Sequence, residues 1–260
     1  VIKGKSVVIT GSTSGIGLGI AQAFAAQRAN ILLNGFGDPQ TISQIQGDLE
    51  KKGSPKVAYC PADLTTWEGC VTLIQEAAHH LGSVDILVNN AGIQHVAPIE
   101  DFSREAWEKI LALNLSAVFY TAQNALPFMR QRQWGRIINI ASAHGLVASA
   151  HKSGYVAAKH GVMGLTKTIA LETAGSGITC NAICPGWVLT PLVEKQIQIR
   201  ATEKGLSFEE AKGDLLLEKQ PSGEFVTSDQ LGNIAVFLAS ESAAQITGTG
   251  LSVDGGWTAQ

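Results

Sequence analysis

Seven short runs of Val, Ile and Leu, most without a polar face, constrain this chain more than anything else in it. SVVIT (6–10), NILLN (30–34), KVAYC (56–60), VDILVN (84–89), RIINIA (136–141) and GITCNAIC (177–184) come first, and GLSVD (250–254) closes the series. A strand with one wet face alternates apolar and polar residues; a strand covered on both faces does not. Helical patterning over about 12 to 25 residues separates the runs. This alternation predicts an α/β protein: a Rossmann-type, doubly wound parallel sheet of about seven strands with helices on both faces. No internal repeat, low-complexity stretch or Pro/Ser-rich linker interrupts it, so residues 1–260 are expected to form one domain. One segment breaks the rhythm. Between Pro185 and Thr227 there is no strand candidate, only helical stretches at Pro191–Lys204 and Ser207–Lys219. An insertion this long beside a sheet's carboxyl edge predicts a helical substrate lid, residues 187–220.

Composition excludes several classes of function. With 45% hydrophobic and 16% charged residues the chain can build a large core. A net charge of −3 provides no field to draw in nucleic acid or an anionic membrane. Cys60, Cys70, Cys180 and Cys184 form no CxxC pair and read as reduced thiols. His79, His80 and His95 offer no three-ligand spacing, so no metal is expected. The longest uncharged stretch is interrupted by Asn181, Pro185, Gly186 and Pro191, which argues against a membrane span. Val1-Ile-Lys-Gly-Lys runs straight into the first strand without a signal peptide, and a cytoplasmic protein is expected.

Two local patterns carry chemistry. After the first strand comes Thr10-Gly11-Ser12-Thr13-Ser14-Gly15-Ile16-Gly17, then a helical pattern. Glycines permit a tight turn and let backbone N–H groups approach a pyrophosphate at a helix N-terminus. Further on, Tyr155 and Lys159 stand at i and i+4, on one helix face. An ammonium nearby favours the phenolate, as would a positively charged nicotinamide. Moving a phenol from about 10 to about 7 takes about 4 kcal/mol. Tyr155 would then take up an alcohol proton, or return it in reverse.

Together these motifs resemble the short-chain dehydrogenase/reductase family, over essentially the whole chain. The glycine spacing G-x-x-x-G-x-G, Asp63-Leu64, Asn89-Asn90-Ala91-Gly92, the set Asn114, Ser142, Tyr155 and Lys159, and the Pro185-Gly186 turn all occur in the family's order. The resemblance implies a nicotinamide dinucleotide held by Gly11, Thr13, Ser14, Gly15, Ile16, Gly17, Asp63, Leu64, Asn90, Ala91, Gly92, Pro185, Gly186, Val188 and Thr190, with Tyr155 and Lys159 beside the nicotinamide ribose. It implies that Ser142 holds the substrate oxygen and that the Asn114 backbone holds a water in a proton relay reaching Lys159. It also implies a homotetramer built on the helices Ser103–Arg130 and Gly154–Thr173 and the last strand. An acidic residue after the second strand commonly binds the adenosine ribose, whereas a basic one accepts a 2′-phosphate. Here the stretch is Asn34-Gly35-Phe36-Gly37-Asp38, with neither Arg nor Lys. NAD is therefore expected, with Phe36 and its backbone as the candidate ribose contact.

LNGFG (33–37), NNAGIQHVAPIEDF (89–102), SAHGLVAS (142–149), SGYVAAKHG (153–161) and CPGWVLTPLV (184–193) resemble one branch of the family, the D-3-hydroxybutyrate dehydrogenases. That branch would hold a small substrate carboxylate with Gln94, His144, Lys152 and Gln196. Trp187 and Trp257 are candidate pocket walls. Lys152, about 60° from Tyr155 on a helical wheel, can face the same cleft. Helical spacing also allows His151, at i−4; the resemblance prefers Lys152. His160, about 140° round the wheel, points away. Ser149 and Ser153 are expected to cap the helix. Gly154 stands where the branch usually has Ala. Alternatives are a relative acting on another small hydroxy compound, such as a sugar, acyl-thioester or other hydroxy acid, and a dinucleotide-binding regulator without turnover.

Overall fold

All seven apolar runs pair into one parallel sheet, of order β3-β2-β1-β4-β5-β6-β7. The strands are β1 (Ser6–Ile9), β2 (Asn30–Asn34), β3 (Val57–Cys60), β4 (Ile86–Asn89), β5 (Gly135–Ile140), β6 (Ile178–Pro185) and β7 (Gly250–Val253), in a computed structural model that describes residues 2–259. Side chains alternate across the sheet, and both faces are covered. Val7 and Ile9 join a core with Ile20 and Phe24 of α1 (Gly15–Ala26), Leu49 of α2 (Pro39–Lys52) and Leu231 of α9 (Ser228–Ala239). Val8, one residue away, joins the opposite core. There it meets Leu73 of α3 (Trp67–Leu81), Met129 of α5 (Ala117–Arg132) and Ile169 of α6 (Ser153–Glu172). Hence the strands have no polar face. β7 is the exception: it is an edge strand, and Leu251 is 38% exposed.

Strand order reverses between β1 and β4, so their carboxyl ends diverge and leave a crevice for a ligand. The long helix expected over Ser103–Arg130 is instead three pieces. α4 (Arg104–Leu111) passes into a π-helical turn, Ala112–Ser116, before α5, which runs on to Arg132.

The insertion after β6 forms α7 (Pro191–Lys204) and α8 (Phe208–Lys219). Thr190 caps α7, and Ser207 with Glu210 makes a reciprocal capping box on α8. Val193 and Ile197 pack with Leu215, Leu216, Trp187 and Trp257 in a separate apolar cluster. The two roots of the insertion meet where the Val226 N–H donates to the Trp187 carbonyl at 2.9 Å. Gln220, 1% exposed, accepts from the Trp187 N–H at 2.8 Å. No helix among the described residues is long and apolar enough to cross a membrane.

Candidate active site

Thr10 follows β1 and ties the glycine loop to the end of β4. Its hydroxyl oxygen accepts from the N–H groups of Asn90 and Ala91, at 2.8 and 2.9 Å. The Asn90 amide donates back to the carbonyls of Thr10 and Gly11, both at 2.9 Å. A side chain at Gly17 would put Cβ 2.3 Å from the Gly11 carbonyl oxygen, so the first turn of α1 packs on the loop only as glycine. Gly15 opens the helix at φ +54°. These two glycines shape the turn, while the other candidate cofactor residues face open space. Gly11, Thr13, Ser14, Phe36, Asp63, Leu64 and Ala91 line a groove of about 860 Å³. Gly92 lines both this groove and a smaller cavity, about 140 Å³, walled by Ile16, Asn90, Pro185, Gly186, Val188 and Thr190 together with Ser142, Tyr155 and Lys159. Glycine loop, helix N-terminus and a groove leading into a cavity fit an extended dinucleotide.

At the far end of the groove the turn after β2 is held by its backbone. Thr13 donates to the Phe36 carbonyl at 3.1 Å, and Tyr59 to the Gly35 carbonyl at 2.8 Å. The Phe36 ring is 68% exposed and does not pack the turn. Asp38 caps α2, accepting from the N–H and hydroxyl of Thr41 at 2.9 and 3.1 Å. Among the described residues of the groove lining, Lys109 is the one base, against Asp63, Glu105 and Glu108. Hydrogen bonds from Thr65 hold the Asp63 carboxyl below its ordinary range.

Ser142 leaves β5, and its oxygen accepts from the His144 N–H at 3.1 Å. Tyr155 lies in the first turn of α6, near the positive end of the helix dipole. Lys159 follows one turn later. Its ammonium lies 5.6 Å from the Tyr155 ring centre and donates to the Ile140 carbonyl at 2.7 Å. The sequence brings Ser142, Tyr155 and Lys159 to one cavity, as expected. Their electrostatics differ from expectation. Burial raises the Tyr155 phenol above its ordinary range, and a hydrogen bond with Ser142 offsets part of that. Burial also lowers the Lys159 ammonium to about 8. Lys159 alone therefore does not overcome desolvation; the lowered phenol foreseen from sequence rested on two cations.

Asn114 sits in the π-helical turn, fully buried. Its amide donates to the Ile93 carbonyl at 2.8 Å and accepts from the Ile93 N–H at 2.9 Å. The side chain thus clasps the loop after β4, and the turn that presents it is the kind of π-bulge common at functional sites.

Beyond Ser142 the cavity is walled by polar and aromatic side chains. Gln94, His144, Lys152, Trp187 and Trp257 line it. The Gln94 amide nitrogen and the Trp187 indole nitrogen are buried without a hydrogen-bond partner. Lys152 is 9% exposed, with its ammonium 4.7 Å from the Trp187 ring centre. Burial lowers that ammonium to about 8, with Glu218 opposing the shift. His144, expected from the resemblance to help hold the carboxylate, lines the cavity beside Lys152. Burial, reinforced by the charge of Lys152, drops its imidazole to about 3, so it is neutral. Its ring nitrogens already meet two hydroxyls, Ser142 at 3.4 Å and Ser149 at 3.0 Å. Ser149 is therefore not a helix cap, and neither is Ser153, because Lys152 takes the N-cap position without a side-chain cap. Gln196 lines a neighbouring crevice under α7 and α8, not this cavity, although Lys152, Trp187 and Trp257 line both. His151 is exposed at φ +64° and lines that outer crevice, and His160 is also exposed. No group of three potential metal ligands occurs among the described residues.

Comparison with known proteins agrees with this geometry. The model of the family described as short chain dehydrogenase matches residues 5–200. The chain is 56% identical over 260 residues to a D-beta-hydroxybutyrate dehydrogenase of Cupriavidus necator, covering 100% of both chains. It is 54% identical over 256 residues to one of Rhizobium meliloti, covering 98% of this chain and 99% of the other. A structure of a variant actinorhodin polyketide ketoreductase with NADPH superposes with a TM-score of 0.92 at 31% identity, covering 98% of each chain. From its seven-stranded sheet to its glycine loop and serine–tyrosine–lysine cavity, the chain belongs to the short chain dehydrogenase family.

Proposed function

We propose that the protein reversibly oxidises D-3-hydroxybutyrate to acetoacetate with NAD. One observation carries this reading: the cavity that holds Ser142 and Tyr155 is also lined by Gln94, Lys152 and Trp187, whose side-chain nitrogens have no hydrogen-bond partner among the described residues. Gln94 and Trp187 each bring a buried N–H with no partner, and Lys152 a buried ammonium. Leaving such groups unpaired costs about 1–3 kcal/mol each, more for the charge. A carboxylate, which only accepts, is the kind of group that can pair with such donors. The names of the two relatives support the same substrate. NAD is favoured over NADP because neither Arg nor Lys stands on the Gly35–Asp38 turn, and the groove lining is mostly acidic. The exposed Phe36 ring is the proposed adenosine contact. Gly92 and the Val188–Thr190 segment would hold the nicotinamide end.

When bound, the nicotinamide accepts hydride from the carbon bearing the hydroxyl. The protein's part is the proton. Ser142 holds the substrate oxygen beside Tyr155, its one proton shared between the two oxygens, and Tyr155 as phenolate takes up the hydroxyl proton. Lys159, pinned to the Ile140 carbonyl, and the N-terminal end of α6 favour that phenolate against burial. Asn114 is proposed to act through its backbone in returning the proton to water. Trp187 and Trp257, with ring centres 5.5 Å apart, wall the apolar side. The α7–α8 insertion covers the cavity as a lid, and Gln196 would reach the carboxylate only by its closure. Half-exposed Trp107 and Phe119 on α4 and α5 suit a homotetramer.

The test is formation of reduced nicotinamide across a panel of small hydroxy acids, sugars and neutral alcohols. Turnover of D-3-hydroxybutyrate well above the neutral compounds is expected. Turnover of neutral alcohols with none of D-3-hydroxybutyrate would overturn the reading.

A further inference from the structure

We infer that Ser149 is a positioning residue: its hydroxyl fixes the tautomer of His144, so that hydrogen bonds run one way, from Ser149 through His144 and Ser142 to Tyr155. The inference rests on the reading of Tyr155 as the acid–base group. His144 is 4% exposed and held edge-on between two rings, with centres 5.8 Å from Tyr155 and 5.0 Å from Trp257. It is neutral, so the ring carries a single proton. Each ring nitrogen meets one hydroxyl: Nε2 that of Ser149 at 3.0 Å, Nδ1 that of Ser142 at 3.4 Å. Two arrangements satisfy these contacts.

In the first, Nε2 carries the proton and donates to Ser149. Nδ1 must then accept from Ser142, whose only hydroxyl proton is turned away from Tyr155. In the second, Nδ1 carries the proton. The Ser142 oxygen then accepts twice, from this Nδ1–H and from the His144 backbone N–H at 3.1 Å, and its own proton is free for the Tyr155 oxygen. That arrangement requires Ser149 to donate to Nε2. Among the described residues Ser149 has no other hydrogen-bond partner, and it borders the outer crevice. Water there can meet its lone pairs while its proton points inward. A file of donors ending at the phenol oxygen favours the phenolate, and hydrogen bonds in line strengthen one another.

Ser149→Ala and Ser149→Thr test this, with two readouts. Long-range proton–nitrogen NMR of the imidazole should find His144 protonated on Nδ1 in the parent protein. It should find Nε2 at least partly protonated in Ser149→Ala, and Nδ1 again in Ser149→Thr. In the oxidative direction the rising limb of the kcat/KM pH profile should move up by about 0.5–1 unit in Ser149→Ala, with KM for NAD unchanged and Ser149→Thr restoring the limb. A parent His144 protonated on Nε2, or a folded Ser149→Ala whose limb stays in place, overturns the inference. If another hydroxy compound proves to be the substrate, the same limb is read on that compound and the NMR readout stands, so the substrate reading and this inference fail separately.

Discussion

Lys152 is only 9% exposed and has no carboxylate in contact with its ammonium among the described residues, which makes it the site's most informative side chain. Burial lowers it to about 8. The sign of its pH effect follows. Below that value the ammonium is charged and can hold a substrate anion; above it the free protein loses the charge. KM for D-3-hydroxybutyrate should therefore be flat below about 8 and rise roughly tenfold per pH unit beyond it. Steady-state kinetics over that range checks this, and a KM that stays flat well above that value contradicts it. The places of Ser142, Tyr155 and Lys159 were legible in sequence from a strand end and the spacing along one helix, whereas Lys152 and Gln94 were preferred through the family resemblance, since spacing allowed His151 as well. The state of His144 was not. Its neutrality comes from burial under Trp257 and the charge of Lys152, and its partner Ser149 is set by a loop path that no periodicity describes. His151 stood level with Lys152 on a helical wheel; a left-handed backbone places it in the outer crevice instead.

At the scale of elements, the strands and α6–α8 match the sequence reading to within a residue or two, because burial marks most of the strands and capping residues mark the starts of α7 and α8. The π-helical turn left no mark in the helical periodicity; it carries Asn114, whose amide clasps Ile93 from outside the helix. Asn114→Ala should leave both Ile93 backbone groups without that partner and cost about 2–4 kcal/mol, read as a lower denaturation midpoint. An unchanged midpoint would show the clasp to be idle. Gly154 also gains a tertiary reason. Sequence alone suggests that it loosens the first turn of α6. Yet a Cβ there would lie 3.2 Å from the Phe102 ring, so glycine leaves room for that ring. In Gly154→Ala the usual helix gain of about 0.5–1 kcal/mol should be largely offset by this contact. Thermal melting should show little net change; a gain of the full size would mean that Phe102 gives way freely.

For the whole molecule, the parallel sheet and its reversal between β1 and β4 set one groove that leads into one cavity, and the α7–α8 insertion hangs above it from the Val188–Val226 bridge and Gln220. The insertion was visible as a gap in the strand rhythm; that its roots close together was not, since the Gln220 contact spans the whole segment. Ligand linkage reads the groove as a unit. NAD at a hundred times its Kd should stabilise the protein by about 2.7 kcal/mol, and NADP at equal concentration by clearly less. Equal thermal shifts would contradict the preference argued from the Gly35–Asp38 turn. Whether the Lys152 end of the cavity reads a carboxylate is decided by comparing D-3-hydroxybutyrate with its neutral methyl ester in the parent protein and in Lys152→Ala. Pairing of Lys152 with the carboxylate means that kcat/KM for the acid should fall by about a hundredfold or more in Lys152→Ala, as a buried charge loses its partner, while the slower ester reaction hardly changes. An equal loss for both, or an acid reaction that survives Lys152→Ala, would contradict it.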